Sequence, residues 1–334
     1  MRIGLAYDLK ESVALELAGP EDALEEYDSA ATVELIAGSL KSHGHSVVML
    51  GGGREFIDNI INEPVDIVFN IAEGRGCYRS REAQVPAVLE MLDIPYSGSD
   101  PQCLTICLDK PLTKILVAAS GVRTPHFCVV DDVRQLSEVS WEQFTFPVII
   151  KPAYEGSSKG IRQASLSENL EDAGALVHHL LKSYQQPIMI EEFISGEEVT
   201  VGMIGNSPPA ILSFMRVVPR QKCDRFVYSL EVKRDWQNLV DYECPARLSE
   251  ETIREINASS LKAFETLGCR DFARLDFRVD AEGAPYFIEI NPLPGLGTHS
   301  DLYIMATMIG WSHPQLVGEI LNAALRRHPQ CVSV

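Results

Sequence analysis

Four polar residues recur at alternate positions of two apolar segments near the end of the chain. They are Arg274, Asp276, Glu289 and Asn291. Carboxylate and amide oxygens are hard ligands of the kind that Mg²⁺ takes, and a guanidinium can bind a phosphate through two parallel hydrogen bonds. The set therefore indicates a site for magnesium and phosphate if the fold brings these side chains together. The alternative is an ordinary polar face that contacts water.

A β-hairpin would bring the four side chains together. Turn-forming residues at 280–283 separate the two segments. A four-residue loop places Arg274 opposite Glu289. The same register places Asp276 opposite Phe287. Since successive side chains of a strand point to opposite faces, the polar set shares one face. The core face is predicted to carry Leu275, Phe277, Val279, Ile288 and Ile290.

A strand followed by a glycine- and serine-rich loop forms a second candidate site. The apolar segment 146–150 ends at Lys151, and the loop that follows contains two glycines, Ser157 and Ser158. Glycines allow successive backbone N–H groups to surround an anion, and the hydroxyls add donors. The pattern differs from the GxxxxGK[ST] phosphate loop, which the chain lacks. Alone, such a loop is also typical of a simple turn.

A third candidate site lies where the apolar strand 188–190 runs into acidic residues. Glu191 and Glu192 end this strand, and Glu198 follows a few residues later. Backbone groups here could bind an adenine, and a carboxylate could bind the ribose hydroxyls. An acidic strand end that merely contacts water would have the same sequence.

The order and spacing of the three sites resemble the ATP-grasp superfamily and, more closely, the D-alanine–D-alanine ligases. The motifs that carry the resemblance are YSGS at 96–99, CLDK at 107–110, KP with its Gly/Ser loop, EEFIxGxE, and RxD ahead of ExNPLPG. They cover nearly the whole chain. The resemblance implies an ATP-grasp fold, both α/β and α+β, with an N-terminal Rossmann-like domain that contains a parallel sheet.

One group of residues is implied by the resemblance to bind ATP. Lys110 and Lys151 match lysines that hold the phosphates, and Lys233 matches a mobile-loop lysine that reaches the γ-phosphate. Glu191 matches the adenine contact, and Glu198 matches the ribose contact. The implied nucleotide-binding set is Lys110, Lys151, Ser158, Glu191, Glu192, Phe193, Ile194, Glu198 and Lys233.

The resemblance also implies metal ligands and catalytic groups. Asp276, Glu289 and Asn291 match the ligands of two Mg²⁺ ions, for which Mn²⁺ could substitute. Arg274 and the backbone of Gly295 are placed to stabilise an oxyanion. The implied catalytic set is Ser157, Lys233, Arg274 and Gly295.

The chain departs from the family where the amino acids bind. Glu73 stands for the histidine of the family's His-Gly motif, and Arg234 stands for the tyrosine after the lid lysine. Asp301 replaces an apolar residue after Ser300, which matches the position that holds the acceptor's carboxylate. Several acids crowd the first strand–helix loop, so the partner of the first substrate's amine stays open. Amino-acid-like substrates other than two D-alanines are therefore expected. The implied substrate set is Glu73, Ser157, Arg234, Ser300 and Asp301.

The implied reaction agrees with the chemistry of these residue types. A carboxylate is a poor acyl donor because its leaving group would be oxide, and phosphoryl transfer from ATP makes that leaving group phosphate. Two Mg²⁺ ions and three lysines offset the charge on the transferred group. The polar stretch 219–241 is a candidate lid that excludes water. These features favour an ADP-forming carboxylate–amine ligase that acts through an acyl-phosphate. The alternatives are an ATP-grasp small-molecule kinase and a non-catalytic nucleotide-binding module.

Alternating strand and helix patterns organise the first hundred residues. Strands at 2–7, 47–50 and 67–71, separated by helical stretches, predict a parallel sheet. A loop is predicted over 11–28, and Ser29 is a candidate N-cap of the next helix.

The strands from residue 126 onward are predicted to be antiparallel. The last two form the hairpin at 272–291. The others are 126–130, 146–151, 188–191, 198–204 and 209–217, and the helices predicted after the first hundred residues are 111–116, 168–183, 249–267 and 314–326. Three units follow: an N-terminal Rossmann-like substrate domain at 1–107, a central ATP-grasp subdomain at 108–187, and a C-terminal catalytic domain at 188–330.

The composition favours a cytoplasmic enzyme. A net charge of −18 repels nucleic acid and anionic lipid. No apolar run approaches the ~20 residues of a membrane helix, and the N-terminus is predicted as a strand rather than a signal peptide. Eight cysteines without a CxxC pair indicate reduced thiols. The expected partners are ATP and small molecules, not nucleic acid or membrane, and a homodimer is compatible with the resemblance.

Overall fold

The computed structural model describes residues 1–14 and 19–331. Residues 15–18, part of the loop predicted over 11–28, lie outside the described residues, as do 332–334. The N-terminal unit contains β1 (Arg2–Ala6), α1 (Lys10–Ala14), α2 (Ala30–Ser42), β2 (Ser46–Gly51), α3 (Gly53–Asn62), β3 (Ile67–Asn70), α4 (Gln84–Met91) and α5 (Pro101–Leu108).

A parallel sheet organises this unit, as predicted, with the strand order β2-β1-β3. Helices cover both faces: Ile3 and Leu5 share a core with α2, whereas Leu50 shares one with α3 and α4. Ser29 caps α2 by accepting a hydrogen bond from the Thr32 N–H at 3.2 Å. The predicted loop over 11–28 is wrong where α1 lies, because five helical residues are too few to show a period.

The central unit is built on an antiparallel sheet. It contains α6 (Lys110–Ala119), β4 (Phe127–Val130), β5 (Val148–Pro152), β6 (Leu166–Ser167), α7 (Leu170–Tyr184) and β7 (Ile188–Glu192). The strand order is β4-β7-β5-β6. Since β7 pairs with both β4 and β5, a boundary at 187/188 would divide this sheet.

The third unit carries a five-stranded antiparallel sheet of order β10-β9-β8-β11-β12. Its elements are β8 (Glu197–Ile204), β9 (Ala210–Pro219), α8 (Leu230–Arg234), α9 (Trp236–Leu239), β10 (Val240–Glu243), α10 (Glu250–Leu267), β11 (Phe272–Val279), β12 (Pro285–Asn291), α11 (Asp301–Met308) and α12 (His313–Arg327). The candidate lid at 219–241 thus contains the two short helices α8 and α9.

The predicted hairpin is present in β11 and β12, but its register differs from the prediction. Asp276 lies opposite Glu289 rather than Phe287. Arg274 lies opposite Asn291 rather than Glu289. The loop is one residue longer than predicted, so that the first pair after it is Val279 with Pro285.

A register shift between Asp276 and Phe277 accounts for the rest of the difference. Such a bulge places an extra residue on one strand and reverses the alternation there. The core face therefore holds Phe287, and Ile288, predicted to be core, lines a cleft instead. The polar set nevertheless shares one face, because the bulge precedes Glu289 in β12.

The N-terminal and third units are joined around the buried carboxylate of Asp271. Its Oδ2 accepts hydrogen bonds from the Gly98 N–H at 2.8 Å and from Arg327 at 2.6 Å, and its Oδ1 accepts one from Asn206 at 3.0 Å. No helix in the described ranges is long and apolar enough to cross a membrane.

Asp271→Ala is expected to lower the free energy of unfolding by ~3 kcal/mol, because it leaves the Arg327 guanidinium without its buried partner. Chemical denaturation measures the change. Asp58→Ala, on an exposed face of α3, is the control and should change stability by less than ~0.5 kcal/mol. Equal stability of the two variants would show that the Asp271 contacts do not hold the units together.

Candidate active site

A cleft of about 740 Å³ lies between the two antiparallel sheets. One wall comes from β5 and β7, and the other comes from β8, β11 and β12. Strand alternation directs every second side chain of these strands into the cleft. Predicted nucleotide-binding residues that line it are Lys151, Ser158, Glu191, Glu192, Phe193, Ile194, Glu198 and Lys233.

The polar set of the hairpin lies against one end of this cleft. Arg274 contacts Asp276 at 2.9 Å and Glu289 at 3.6 Å. The Asn291 amide donates to Glu289 at 3.4 Å, and the Thr200 hydroxyl donates to Asp276 at 2.9 Å. Three oxygen donors of the kind that bind Mg²⁺ are therefore adjacent.

Lys151 lines the cleft, and Lys110, which is not among the residues that line it, contacts the hairpin beside it. Lys110, at the start of α6, contacts Glu289 at 3.3 Å. Lys151, on β5, donates to Glu191 at 2.6 Å. Burial opposes the ionisation of Glu289, but Lys110 and Arg274 outweigh it and lower the pKa of that carboxyl. The polar set of the hairpin and these two lysines thus form one charged surface.

Lys114 is a further buried lysine that the sequence reasoning missed. Its ammonium pairs with Glu191 and donates to the Thr124 hydroxyl at 2.9 Å. Burial lowers the pKa of Lys114 to about 8, against the opposing effect of Glu191. Burial alone would raise the pKa of Glu191, but Lys114 and Lys151 lower it. Lys114 follows Lys110 by one helical turn, which is the signal that could have found it.

Arg278 is the second residue that the sequence reasoning missed. It contacts Glu198 at 3.0 Å and donates to the carbonyls of Gly196 and Phe226, both at 3.0 Å. Its guanidinium lies 4.4 Å from the centre of the Phe193 ring. Arg278 thereby fixes the segment that was predicted to contact adenine and ribose. It continues the alternation of Arg274 and Asp276, so the strand pattern could have identified it.

The Gly/Ser loop after β5 separates this cleft from a second cavity. Ser157 and Ser158 both have left-handed backbone angles, with φ of 52° and 60°. The Ser158 hydroxyl donates to the Tyr228 carbonyl at 3.3 Å. Ser158 lines the first cleft, and Ser157 lines the second cavity.

The second cavity, of about 1030 Å³, adjoins the cleft. The two share Tyr228, Lys233, Arg274 and Asp301. Predicted catalytic and substrate residues that line the second cavity are Ser157, Lys233, Arg234, Arg274, Gly295, Ser300 and Asp301. A group transferred at the shared boundary could therefore pass between molecules bound on the two sides.

Ser300 and Asp301 lie at the start of α11. The Ser300 hydroxyl accepts a hydrogen bond from the Tyr303 N–H at 3.4 Å, so Ser300 is the N-cap. The Asp301 carboxylate contacts Arg274 at 3.2 Å. Asp301 therefore holds the arginine that also contacts Asp276.

Glu73 is the predicted substrate residue that lines neither the cleft nor the second cavity. It is half-buried among other acids, and burial, followed by the charges of Glu82 and Glu26, raises its pKa well above the usual range. The structure therefore does not bring Glu73 into the cavity that Ser300 and Arg234 line.

The acid-rich loop before α2 contributes one carboxylate to the second cavity. Glu25 lines the cavity and accepts a hydrogen bond from Arg234 at 2.6 Å. Glu26 instead pairs with Arg81 at 2.7 Å and with Lys159 at 2.8 Å. The Glu25–Arg234 contact ties the candidate lid to the N-terminal unit.

Comparison with known proteins identifies the family of this chain. The family model described as D-ala D-ala ligase C-terminus matches residues 116–322. The D-alanine–D-alanine ligase of Aquifex aeolicus is 31% identical over 88% of this chain and 94% of its own. An uncharacterized protein of Sinorhizobium fredii, y4sG, is 31% identical over 88% and 87%. The structure of the Bacillus anthracis D-alanine–D-alanine ligase complexed with ATP superposes with a TM-score of 0.75, at 23% identity and 99% coverage of both chains.

Proposed function

The chain belongs to the D-alanine–D-alanine ligase family, and we propose that it joins two amino-acid-like substrates through an acyl-phosphate intermediate. It is an ATP-dependent ligase that forms ADP. The observation that carries the proposal is the boundary between the two cavities, where Lys233 and Arg274 line both. We assign the nucleotide to the first cleft and the molecules to be joined to the second cavity.

Activation of the first substrate takes place at this boundary. A carboxylate oxygen attacks the γ-phosphorus, the bond to the ADP oxygen breaks, and an acyl-phosphate forms. Lys110, Lys151 and Lys233 offset the negative charge spread over the phosphoryl oxygens. Lys110 and Lys151 are held by Glu289 and Glu191, so their ammonium groups are positioned before the nucleotide binds.

The donor set of the hairpin fits a divalent metal ion. Asp276, Glu289 and Asn291 offer adjacent hard oxygens. Burial raises the pKa of Asp276, and Glu289 and Asp301 add to the effect against the opposing charge of Arg274. A bound Mg²⁺ would neutralise phosphate charge. We assign two ions to this set, with Mn²⁺ able to replace them.

The second substrate then attacks the activated carbonyl carbon through its amine. The carbonyl oxygen becomes an oxyanion, which Arg274 and the Gly295 N–H stabilise. Collapse of this intermediate forms the amide bond and expels phosphate, which carries one oxygen from the original carboxylate and takes up the proton that the amine loses. Ser300, at the start of α11, is the proposed contact for the acceptor's own carboxylate.

The lid keeps water from the acyl-phosphate. It contributes Lys233 to the boundary, and its Arg234 contacts Glu25 across the second cavity at 2.6 Å. A second tie joins Glu231 of the lid to Arg162 at 3.7 Å. Closure of the lid therefore depends on ion pairs with the rest of the chain.

Arg234→Ala is expected to raise the excess of ADP released over amide formed about threefold, because the open lid admits water to the acyl-phosphate. Exposed ion pairs of this kind are typically worth ~0.2–1 kcal/mol, which limits the change to about fivefold. The measurement is the ratio of ADP released to amide formed. Arg134→Ala, which breaks an exposed pair with Asp132 outside the lid and both cavities, is the control. An unchanged ratio in Arg234→Ala would show that this contact does not govern closure.

The substrates are proposed to differ from two D-alanines. Arg234 and Asp301 are charged, and both line the cavity that holds the acceptor. The test is ADP release with D- and L-amino acids, singly and in pairs, with mass detection of the product. Turnover of D-alanine alone, with a KM in the usual range of ~1 μM–1 mM, would contradict this part of the proposal. Absence of an amide product with every pair would contradict the ligase itself.

We further propose three units, with the boundary between the second and third placed after β7 so that its sheet stays whole.

The free state of all eight cysteines supports a location in the reducing cytoplasm. The net charge of −18 supports small-molecule partners rather than nucleic acid or an anionic membrane. A homodimer is the proposed assembly.

A further inference from the structure

Three aromatic side chains from separate segments meet in the second cavity. Trp236 comes from α9, Tyr242 from β10, and His299 from the loop before α11. The Trp236 ring centre lies 5.7 Å from that of Tyr242 and 5.4 Å from that of His299. These three residues are called the aromatic wall.

Two side chains of the aromatic wall face the cavity rather than a core, and the third, Tyr242, also packs against the core that Ile3 and Leu5 share. Trp236 is half-buried and His299 is exposed, and neither belongs to the four apolar clusters found among residues 1–14 and 19–331. Aromatic surface left open in a concave site is typical of ligand binding. Packing of α9 on β10 alone would not require His299.

A hydrogen bond links the wall to the boundary between the two cavities. The Tyr242 hydroxyl lies 2.7 Å from the Tyr228 hydroxyl, and the Tyr228 ring lies 5.1 Å from the Lys233 ammonium. The wall is thus linked to the lysine at the boundary of the two cavities. A substrate side chain that contacts the wall would therefore be held at a defined position relative to Lys233 and the reacting groups.

The charges in the cavity argue against a cationic acceptor side chain. Glu25 is paired with Arg234, and Asp301 is paired with Arg274. Both cavity carboxylates are therefore engaged by arginines. A methyl side chain, in turn, is too short to use a wall built from three rings. A planar apolar side chain can stack on it.

We propose that the acceptor is an amino acid with an aromatic side chain, which stacks on Trp236, Tyr242 and His299. The inference rests on the proposed ligase function and names its acceptor class. The acceptor's carboxylate then lies toward Ser300 and its amine toward Arg274 and Gly295. Trp236 has the largest side chain of the three.

The experiment compares acceptors in the purified full-length enzyme with ATP and Mg²⁺. Phenylalanine, tryptophan, alanine and lysine, each as D- and L-enantiomers, are supplied in pairs, and tandem mass spectrometry identifies the C-terminal residue of the product. We expect kcat/KM for an aromatic acceptor to exceed that for alanine at least tenfold. A preference for alanine or lysine would overturn the inference while leaving the ligase function intact. No ADP release with any pair would overturn both.

Substitution of the wall provides the second arm. Trp236→Ala should lower kcat/KM for the aromatic acceptor about tenfold and change that for alanine less than twofold, and Trp236→Phe should retain most of the activity. Gln237→Ala, the exposed neighbour that lines neither cavity, is the matched control. If Trp236→Ala does not fold, His299→Ala provides the same comparison. Equal losses for aromatic acceptors and alanine would assign the wall a structural role only.

Discussion

Replacing Glu289 by glutamine is expected to lower the rate of ADP release by ~10³-fold or more. The substitution keeps the shape of the side chain but removes a charge that contacts Lys110 at 3.3 Å and Arg274 at 3.6 Å. It also removes a proposed metal ligand, and metal stabilisation of phosphoryl transfer is worth several kcal/mol. A loss of ~4 kcal/mol corresponds to ~10³-fold. Steady-state ADP release at saturating ATP and Mg²⁺ measures the effect.

The matched control is Glu282→Gln, which makes the same change at the exposed turn of the same hairpin. Its rate should stay within twofold of the unmodified enzyme. Raising the Mg²⁺ concentration should partly restore Glu289→Gln if the lost carboxylate binds the metal. A Glu289→Gln rate within tenfold of the unmodified enzyme would remove the hairpin from the catalytic site.

Arg274→Met is expected to lower the rate of amide formation by ~10²–10³-fold, because one lost donor to an oxyanion typically costs ~3–4 kcal/mol. Formation of the acyl-phosphate should fall less, since the three lysines remain. Hydroxylamine traps the acyl-phosphate as a hydroxamate, so the two steps can be measured separately.

Arg254→Met, on an exposed face of α10, is the control for this substitution and should leave both steps unchanged. Arg274→Lys keeps the positive charge but lacks the planar fork that contacts Asp276 and Asp301. It is expected to recover only part of the rate. Equal losses of hydroxamate and amide in Arg274→Met would assign the arginine to the nucleotide rather than to the oxyanion.

Long amphipathic elements could be predicted from the sequence because their period and caps agree. The helix predicted over 249–267 is observed as Glu250–Leu267, and its N-cap Ser249 accepts a hydrogen bond from the Thr252 N–H at 3.1 Å. By contrast, α11 was not predicted. Its residues are apolar on nearly every side, from buried Leu302 to exposed Met308, so no polar face marks it as a helix.

The register of the hairpin could not be predicted from the sequence. The alternation of polar and apolar residues identified the correct face, but not the pairing of Asp276 with Glu289. A bulge depends on tertiary packing and leaves no reliable mark on the sequence. The same bulge explains why Phe287, rather than the predicted Ile288, lies in the core.

Only part of the candidate site could be predicted from the sequence. Residues that follow one another on a strand, such as Glu191 and Glu192, were predicted as a group and line the same cleft. The aromatic wall could not be predicted, because Trp236, Tyr242 and His299 come from separate segments that only the fold brings within contact. Glu73 was predicted from its motif position alone, and it lines neither the cleft nor the second cavity.

The measurement that tests the central claim most directly follows an oxygen atom. The donor amino acid found in the substrate screen is labelled with ¹⁸O in its carboxylate, and the phosphate released during amide formation is analysed by mass spectrometry. Transfer of the γ-phosphoryl group to that carboxylate predicts one ¹⁸O atom in each phosphate. Phosphate without the label, formed at the same rate as the amide, would contradict the acyl-phosphate and the shared site that is proposed to make it.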